Sequence, residues 1–170
     1  MQNPHNNVAL IGMPGAGKST LGVLLAKRTA REFLDTDLHI QESQGATLQQ
    51  IIERCGIEEF HRIEERCVLA LDCSSCVIAP GGSAVYSEAA MQHLGRIAVR
   101  VYLDVPLVEL DRRLGDLDAR GVIRGPTQDL ADLLAERLPL YERWADVRVD
   151  CGALAHDDAV DAIIAALGEH

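Results

Sequence analysis

Apolar and polar residues along this chain fall into blocks, and the blocks alternate between short apolar runs and longer helical stretches. Val8-Ala-Leu-Ile11 is an apolar run ending in glycine, the pattern of a strand buried on both faces. Helix formers follow from Ser19 to about Arg31, and Glu32-Phe-Leu34 predicts a second strand that closes on Asp35-Thr36-Asp37. Thr47-Leu-Gln-Gln50 has capping-box spacing and opens a helix to about Cys55. A further helix is predicted from about Glu58 to Asp72, with Phe60, Ile63, Cys67 and Ala70 at helical spacing. Cys76-Val-Ile-Ala79 predicts a third strand stopped by Pro80-Gly81-Gly82, after which Ser87 caps a helix ending at Gly95. Val99 to Leu103 reads as a fourth strand, and Pro106 sits near the start of a helix that stops near Gly115.

From Gly115 to Pro126 the residues are polar, charged and glycine-bearing, with no apolar face to bury, which predicts a mobile lid loop. A helix resumes near Asp129 and is expected to bend or break at Pro139. Val147-Arg-Val149 reads as the last strand and Asp157 to Leu167 as a closing helix. Strands alternating with helices imply an α/β fold with parallel pairing and right-handed crossovers, in one domain over residues 1–170.

Composition sets bounds on function. The 170 residues are 48% hydrophobic and 25% charged, ordinary for one globular domain. No apolar run approaches the roughly 18 residues that span a bilayer, and the opening MQNPHNN lacks the regions of a signal peptide. A cytoplasmic protein without a membrane partner is expected. A net charge of −10 argues against nucleic acid as a partner, although a local Arg and Lys cluster can still draw an anionic small molecule into a cleft. With no apolar surface stripe in the pattern, a monomer is expected. Cys73-Ser-Ser-Cys76 has redox spacing but no second ligand pair nearby, so all five cysteines are expected as reduced thiols.

The chemistry concentrates at Gly12-Met-Pro-Gly-Ala-Gly17-Lys18-Ser19, which satisfies G-x-x-x-x-G-K-[ST] directly after a strand and directly before a helix. Glycines there let backbone amides turn towards phosphates, and the helix N-terminus adds unpaired donors. Lys18 would reach the β- and γ-phosphates of ATP, and the Ser19 hydroxyl would ligate Mg²⁺. Gly15, Ala16, Gly17 and Thr20 complete the expected nucleotide cradle. Asp35 and Asp37 fall where the second strand ends, at the sheet edge that binds ligands. If strand geometry continues, they project the same way, one towards a metal and the other towards an acceptor hydroxyl. The alternative is that Asp37 is a helix N-cap. Arg120 and Arg124 can close over the phosphates from the loop.

The ordered set of motifs resembles the shikimate kinase family from about Val8 to Asp150. The matching pieces are GMPGAGKST, DTD at 35–37, EEFHRIEE at 58–65, PGGSAV at 80–85, RRLG at 112–115, the loop Arg120, and ERLPLYERWAD at 136–146. The resemblance implies a P-loop three-layer sandwich with a five-stranded parallel sheet in order 2-3-1-4-5, and an acceptor-binding helical region at about 37–65. It implies ATP and Mg²⁺ as cofactors and phosphoryl transfer to shikimate. It also assigns Asp35 to the metal with Ser19, and Asp37 to the acceptor hydroxyls and a base role. Gly81, Gly82 and Arg137 would line the acceptor site, Arg113 would pack on adenine, and Arg120 would be the lid arginine. The chain departs from the family pattern at His61, where the family has an acceptor-binding arginine, at Ser83, where it has a third glycine, and in the lid, Arg120-Gly-Val-Ile-Arg124. His61 is either an altered acceptor contact or a change that Arg62 or Arg137 compensates. Another small polyol or hydroxy acid as acceptor, or an ATP-binding module without catalysis, are the alternatives.

Overall fold

The computed structural model describes residues 6–114, 122, 124, 125 and 127–168. Five strands, β1 (Asn7–Ile11), β2 (Glu32–Asp35), β3 (Cys76–Ala79), β4 (Ala98–Asp104) and β5 (Val147–Asp150), form one sheet in order β2-β3-β1-β4-β5. Every pairing is parallel, with Val8 opposite both Val77 and Val99, Leu34 opposite Ile78, and Leu103 opposite Val149. Successive strand residues point to opposite faces, and every residue of β1 and β3 is buried. Both faces of the sheet centre are therefore covered, which is why these strands read as unbroken apolar runs.

The covering helices are α1 (Lys18–Thr29), α4 (Glu88–Ile97), α6 (Leu130–Trp144) and α7 (His156–Gly168), with α5 (Leu107–Leu114) beside the P-loop. Gly22 sits inside α1 because a side chain there would meet the Phe33 ring of β2 at 2.4 Å. Two expectations are corrected here. Gly95 does not end α4, which runs to Ile97; it is small because the Arg100 guanidinium lies against it, 2.7 Å from where a Cβ would be. Nor does Pro139 break α6, which is continuous from Leu130 to Trp144. Packing of Leu133 and Tyr141, with Tyr141 stacked on Tyr102 at 5.3 Å, holds that helix on the sheet and outweighs the lost backbone bond. Arg100 grips Asp146 through two bonds of 2.9 and 2.7 Å and fixes the end of α6 to β4.

A smaller lobe is built from α2 (Thr36–Gln44) and α3 (Leu48–Leu69) around its own core of Ile40, Ile51 and Phe60. The capping box at Thr47 and Gln50 forms as predicted, with bonds of 3.3 and 3.0 Å. The break between the two predicted helices survives as a kink inside α3 at Gly56, with φ 82° and ψ 167°. That conformation is reserved almost entirely for glycine. Since nothing lies within 4 Å of where its Cβ would be, Gly56→Ala isolates backbone strain. It should destabilise the protein by about 1–3 kcal/mol in urea unfolding.

Candidate active site

The P-loop lies between the end of β1 and the start of α1. Gly12, Gly15 and Gly17 have φ of 152°, 80° and 96°, in the region that favours glycine. Close packing constrains two of them as well. A Cβ on Gly12 would sit 3.0 Å from the Leu103 carbonyl oxygen, and one on Gly15 would sit 2.7 Å from Leu114. The Lys18 ammonium donates to the carbonyls of Gly12 and Met13 at 2.8 and 3.0 Å, bracing the loop from inside. Burial lowers the Lys18 pKa to about 8, against the pull of nearby Asp37. Ala16 serves the loop differently from its neighbours: its side chain is in the core and its amide donates to Met13 O at 3.0 Å.

The DTD segment is not extended throughout. The strand ends at Asp35 and α2 begins at Thr36, so the two aspartates project from different elements rather than from one strand face. The N-cap is Asp35, not Asp37: its Oδ1 accepts from the amides of Asp37 and Leu38 at 2.9 and 3.3 Å. Its other oxygen, Oδ2, accepts from the Ser19 hydroxyl at 2.6 Å. Ser19 and Asp35 thus place hard oxygen donors side by side at the head of α1, a donor set that suits Mg²⁺.

Two cavities meet at this point. A cleft of about 990 Å³ is lined by Gly15, Gly17, Lys18, Ser19, Thr20, Asp35 and, from the opposite wall, Arg113 and the 152–156 turn. Arg113 is held there by Glu109 at 3.0 Å and by the carbonyls of Cys151 and Gly152, both at 3.4 Å, and lines the cleft. The second cavity, about 90 Å³, is lined by Asp37, Phe60, Glu64, Gly81, Gly82, Ser83 and Arg137. Pro14, Lys18, Asp37 and Val122 border both. A molecule in the small cavity therefore faces the phosphate end of the cleft across Lys18 and Asp37.

The small cavity is dense in charge. Arg137 is 1% exposed; its Nε donates to the Tyr86 hydroxyl at 3.1 Å and its guanidinium stands 5.1 Å from the Tyr86 ring. The Tyr86 hydroxyl in turn bonds to Glu136. Tyr141 donates to the Gly82 carbonyl at 2.8 Å, fixing the 81–83 turn. Burial, then the Asp35 charge, raises the Asp37 pKa to about 6. Glu64, 2% exposed, was missed in the sequence reading; burial raises its pKa to about 7, and its Oε2 accepts from the Ser83 hydroxyl at 2.6 Å. Its position was readable, because Glu64 lies one helical turn from Phe60 on the face that α3 buries.

His61 is not among the residues lining this cavity. Its ring packs 5.7 Å from the Tyr86 ring and lines a neighbouring cavity of about 730 Å³ with Tyr86, Arg124 and Gln128. Burial, then Arg137, lowers its pKa. Arg62 points away, 3.2 Å from Glu59 on the exposed face of α3, so it does not stand in for an acceptor-binding arginine. Arg124 donates to the Gln128 carbonyl at 2.7 Å. Arg120 and most of the predicted lid, 115–126, lie outside the described residues. All five cysteines are free thiols, and burial first holds the Cys73 thiol up at about 12.

A parallel sheet, a glycine loop cradling a lysine, and an acid-lined cavity at its mouth define a P-loop small-molecule phosphotransferase. The family model for shikimate kinase matches residues 14–168. The shikimate kinase of Mycobacterium avium (strain 104) is 43% identical over 144 residues, covering 83% of this chain and 81% of that one. Among solved structures, shikimate kinase from Acinetobacter baumannii in complex with shikimate aligns with a TM-score of 0.88 at 30% identity, covering 98% of this chain and 95% of that one. The Aquifex aeolicus shikimate kinase aligns at 0.81 and 27%, covering 95% and 96%. The chain belongs to the shikimate kinase family. Among the described residues no helix is long and apolar enough to cross a membrane.

The raised acid pKa values carry a cost that depends on pH. Glu64 titrates at 4.5 when exposed and at about 7 in the fold, so the native state binds the extra proton between those values. Its burial therefore erodes stability as pH rises from about 4.5 to 7. Glu64→Gln, which keeps the side chain's size and can still accept from Ser83, should be more stable than the parent by about 1–3 kcal/mol at pH 8. The advantage should vanish below pH 4.5, as read by thermal unfolding across that range.

Proposed function

We propose that this protein transfers the γ-phosphoryl group of ATP to a ring hydroxyl of shikimate, giving shikimate 3-phosphate and ADP. The observation that carries the reading is the junction of the two cavities, where Lys18 and Asp37 border both the phosphate cleft and the small acid-lined cavity. Membership of the shikimate kinase family supports the choice of acceptor.

In this reading the P-loop amides and Lys18 hold the β- and γ-phosphates, and Lys18 regains its full charge against them. Ser19 and Asp35 are the residues that would hold Mg²⁺, which when bound neutralises phosphate charge. Asp37 receives the acceptor hydroxyl and accepts its proton, with a pKa of about 6 that suits a base near neutral pH. Arg137, locked by Tyr86, binds the acceptor carboxylate, while Gly81 and Gly82 leave room for the ring. Arg113 supplies a stacking wall for the adenine, and the family resemblance assigns the lid role to Arg120.

Coupled ADP release with ATP, Mg²⁺ and shikimate tests the reaction against a no-acceptor blank and a panel of hydroxy acids and polyols. Shikimate-dependent turnover is expected, and release with a different acceptor alone would overturn the assignment. Asp37→Asn should lower kcat by about 10²–10⁴-fold while nucleotide affinity stays within about threefold. An unchanged kcat would remove Asp37 from the chemistry.

A further inference from the structure

One carboxylate oxygen in the acceptor cavity stands out. Glu64 Oε1 is fully buried and has no hydrogen-bond partner, although Oε2 of the same group takes the Ser83 hydroxyl at 2.6 Å. Buried acceptor oxygens rarely go unpaired, and an unpaired one at a carboxylate is costly. Glu64 and Ser83 are 2% and 5% exposed, and both line the cavity. The direction of Oε1 is given by Gly81, where a Cβ would fall 2.2 Å from Glu64 Oε1 and 2.8 Å from Asp37 Oδ1. The two acid oxygens converge on one side of that glycine. Beside the next residue, Arg137 Nη1 lies 3.1 Å from where a Cβ of Gly82 would be. The cavity therefore presents two separate carboxylates beside Gly81 and the Arg137 guanidinium beside Gly82, with Lys18 on its border.

We propose that Ser83 and Glu64 form a second anchoring point for the acceptor, at which Glu64 Oε1 receives a hydrogen-bond donor, a hydroxyl or an ammonium, other than the hydroxyl held by Asp37. This rests on the phosphotransfer reading above and specifies what the acceptor must carry besides its carboxylate and its nucleophile. Ser83 acts as a positioning residue. By occupying Oε2 it turns Oε1 towards the cavity, where a glycine would leave the carboxylate free to rotate. Charge makes the ammonium acceptable as well as the hydroxyl. With the acceptor carboxylate on Arg137 and Lys18 committed to phosphate, Glu64 is the group left to balance a cation. Its raised pKa agrees, since burial outweighs the opposing pull of Ser83, Arg137 and Lys18, and an ammonium beside Oε1 would draw the proton off.

The test uses the full chain with shikimate, with analogues in which each of the two non-nucleophilic ring hydroxyls is replaced in turn by hydrogen, and with the matching amines. In the parent protein one deoxy analogue should lose about 10–100-fold in kcat/KM, and the amine at that same position should recover most of the loss. Glu64→Gln removes the charge and should cost that amine about tenfold more than it costs shikimate. Ser83→Gly should shrink the deoxy discrimination while leaving nucleotide affinity intact. A purely structural role for Glu64 would lower every acceptor by the same factor, and that outcome overturns the proposal. So does a parent protein that turns over shikimate yet treats both deoxy analogues within about threefold of it, in which case the phosphotransfer reading still stands. No turnover of shikimate at all would instead remove the phosphotransfer reading, and this inference with it.

Discussion

The Lys18 ammonium, bonded to the carbonyls of Gly12 and Met13, is the contact on which the rest of the site depends. It lets a chain with three positive-φ glycines keep one shape, because the loop is closed around its own side chain. The loop is also held from outside. Gly12 sits against the end of β4 and Gly15 against Leu114 of α5, where a Cβ would fall 3.0 Å and 2.7 Å from its nearest neighbour. Since β1 is the central strand, any shift of this loop would move the heads of β3 and β4 with it. Phosphate binding at a helix N-terminus needs such rigidity, for backbone amides cannot adjust one at a time.

Around that loop the fold gathers groups that would repel or strand one another in isolation. Asp37 and Glu64 converge beside Gly81, both with pKa values raised by burial, while Arg137 is almost wholly enclosed. The two acids oppose folding at neutral pH, because each gives up in the fold part of the ionisation it has in the open chain. The core of the sheet offsets that cost, and the Arg100–Asp146 pair and the Tyr102–Tyr141 stack keep α6, and with it Arg137, in place. Sites that must desolvate a charged ligand are commonly organised at the expense of stability.

Several features could be read without coordinates because they depend on neighbours in sequence. The glycine loop, the capping box at Thr47, the Ser87 cap and the strand runs all rest on interactions spanning only a few residues, and each appears in the fold. Two of the misread features involve a distant partner. Gly95 looked like a helix stop because nothing in its neighbourhood announces the guanidinium of Arg100. Pro139 read as a bend or a break, and the stacking that keeps α6 from breaking comes from β4. Asp35 and Asp37 could be read as one strand face or as a helix cap, and the onset of α2 at Thr36 decides for a cap, at Asp35 rather than Asp37.

By itself, then, the sequence determined the class of chemistry, the order of elements and the side of the sheet where ligands bind, since local periodicity and a contiguous motif suffice for these. Only the tertiary structure decided which polar groups share one cavity. Glu64, Ser83, Gly81 and Arg137 come from α3, the turn after β3 and α6, and their juxtaposition depends on packing between segments far apart in the chain. The same packing turned Arg62 outward and set His61 against Tyr86. A helix specifies which face a residue occupies, but what that face meets is settled by the other elements folded against it.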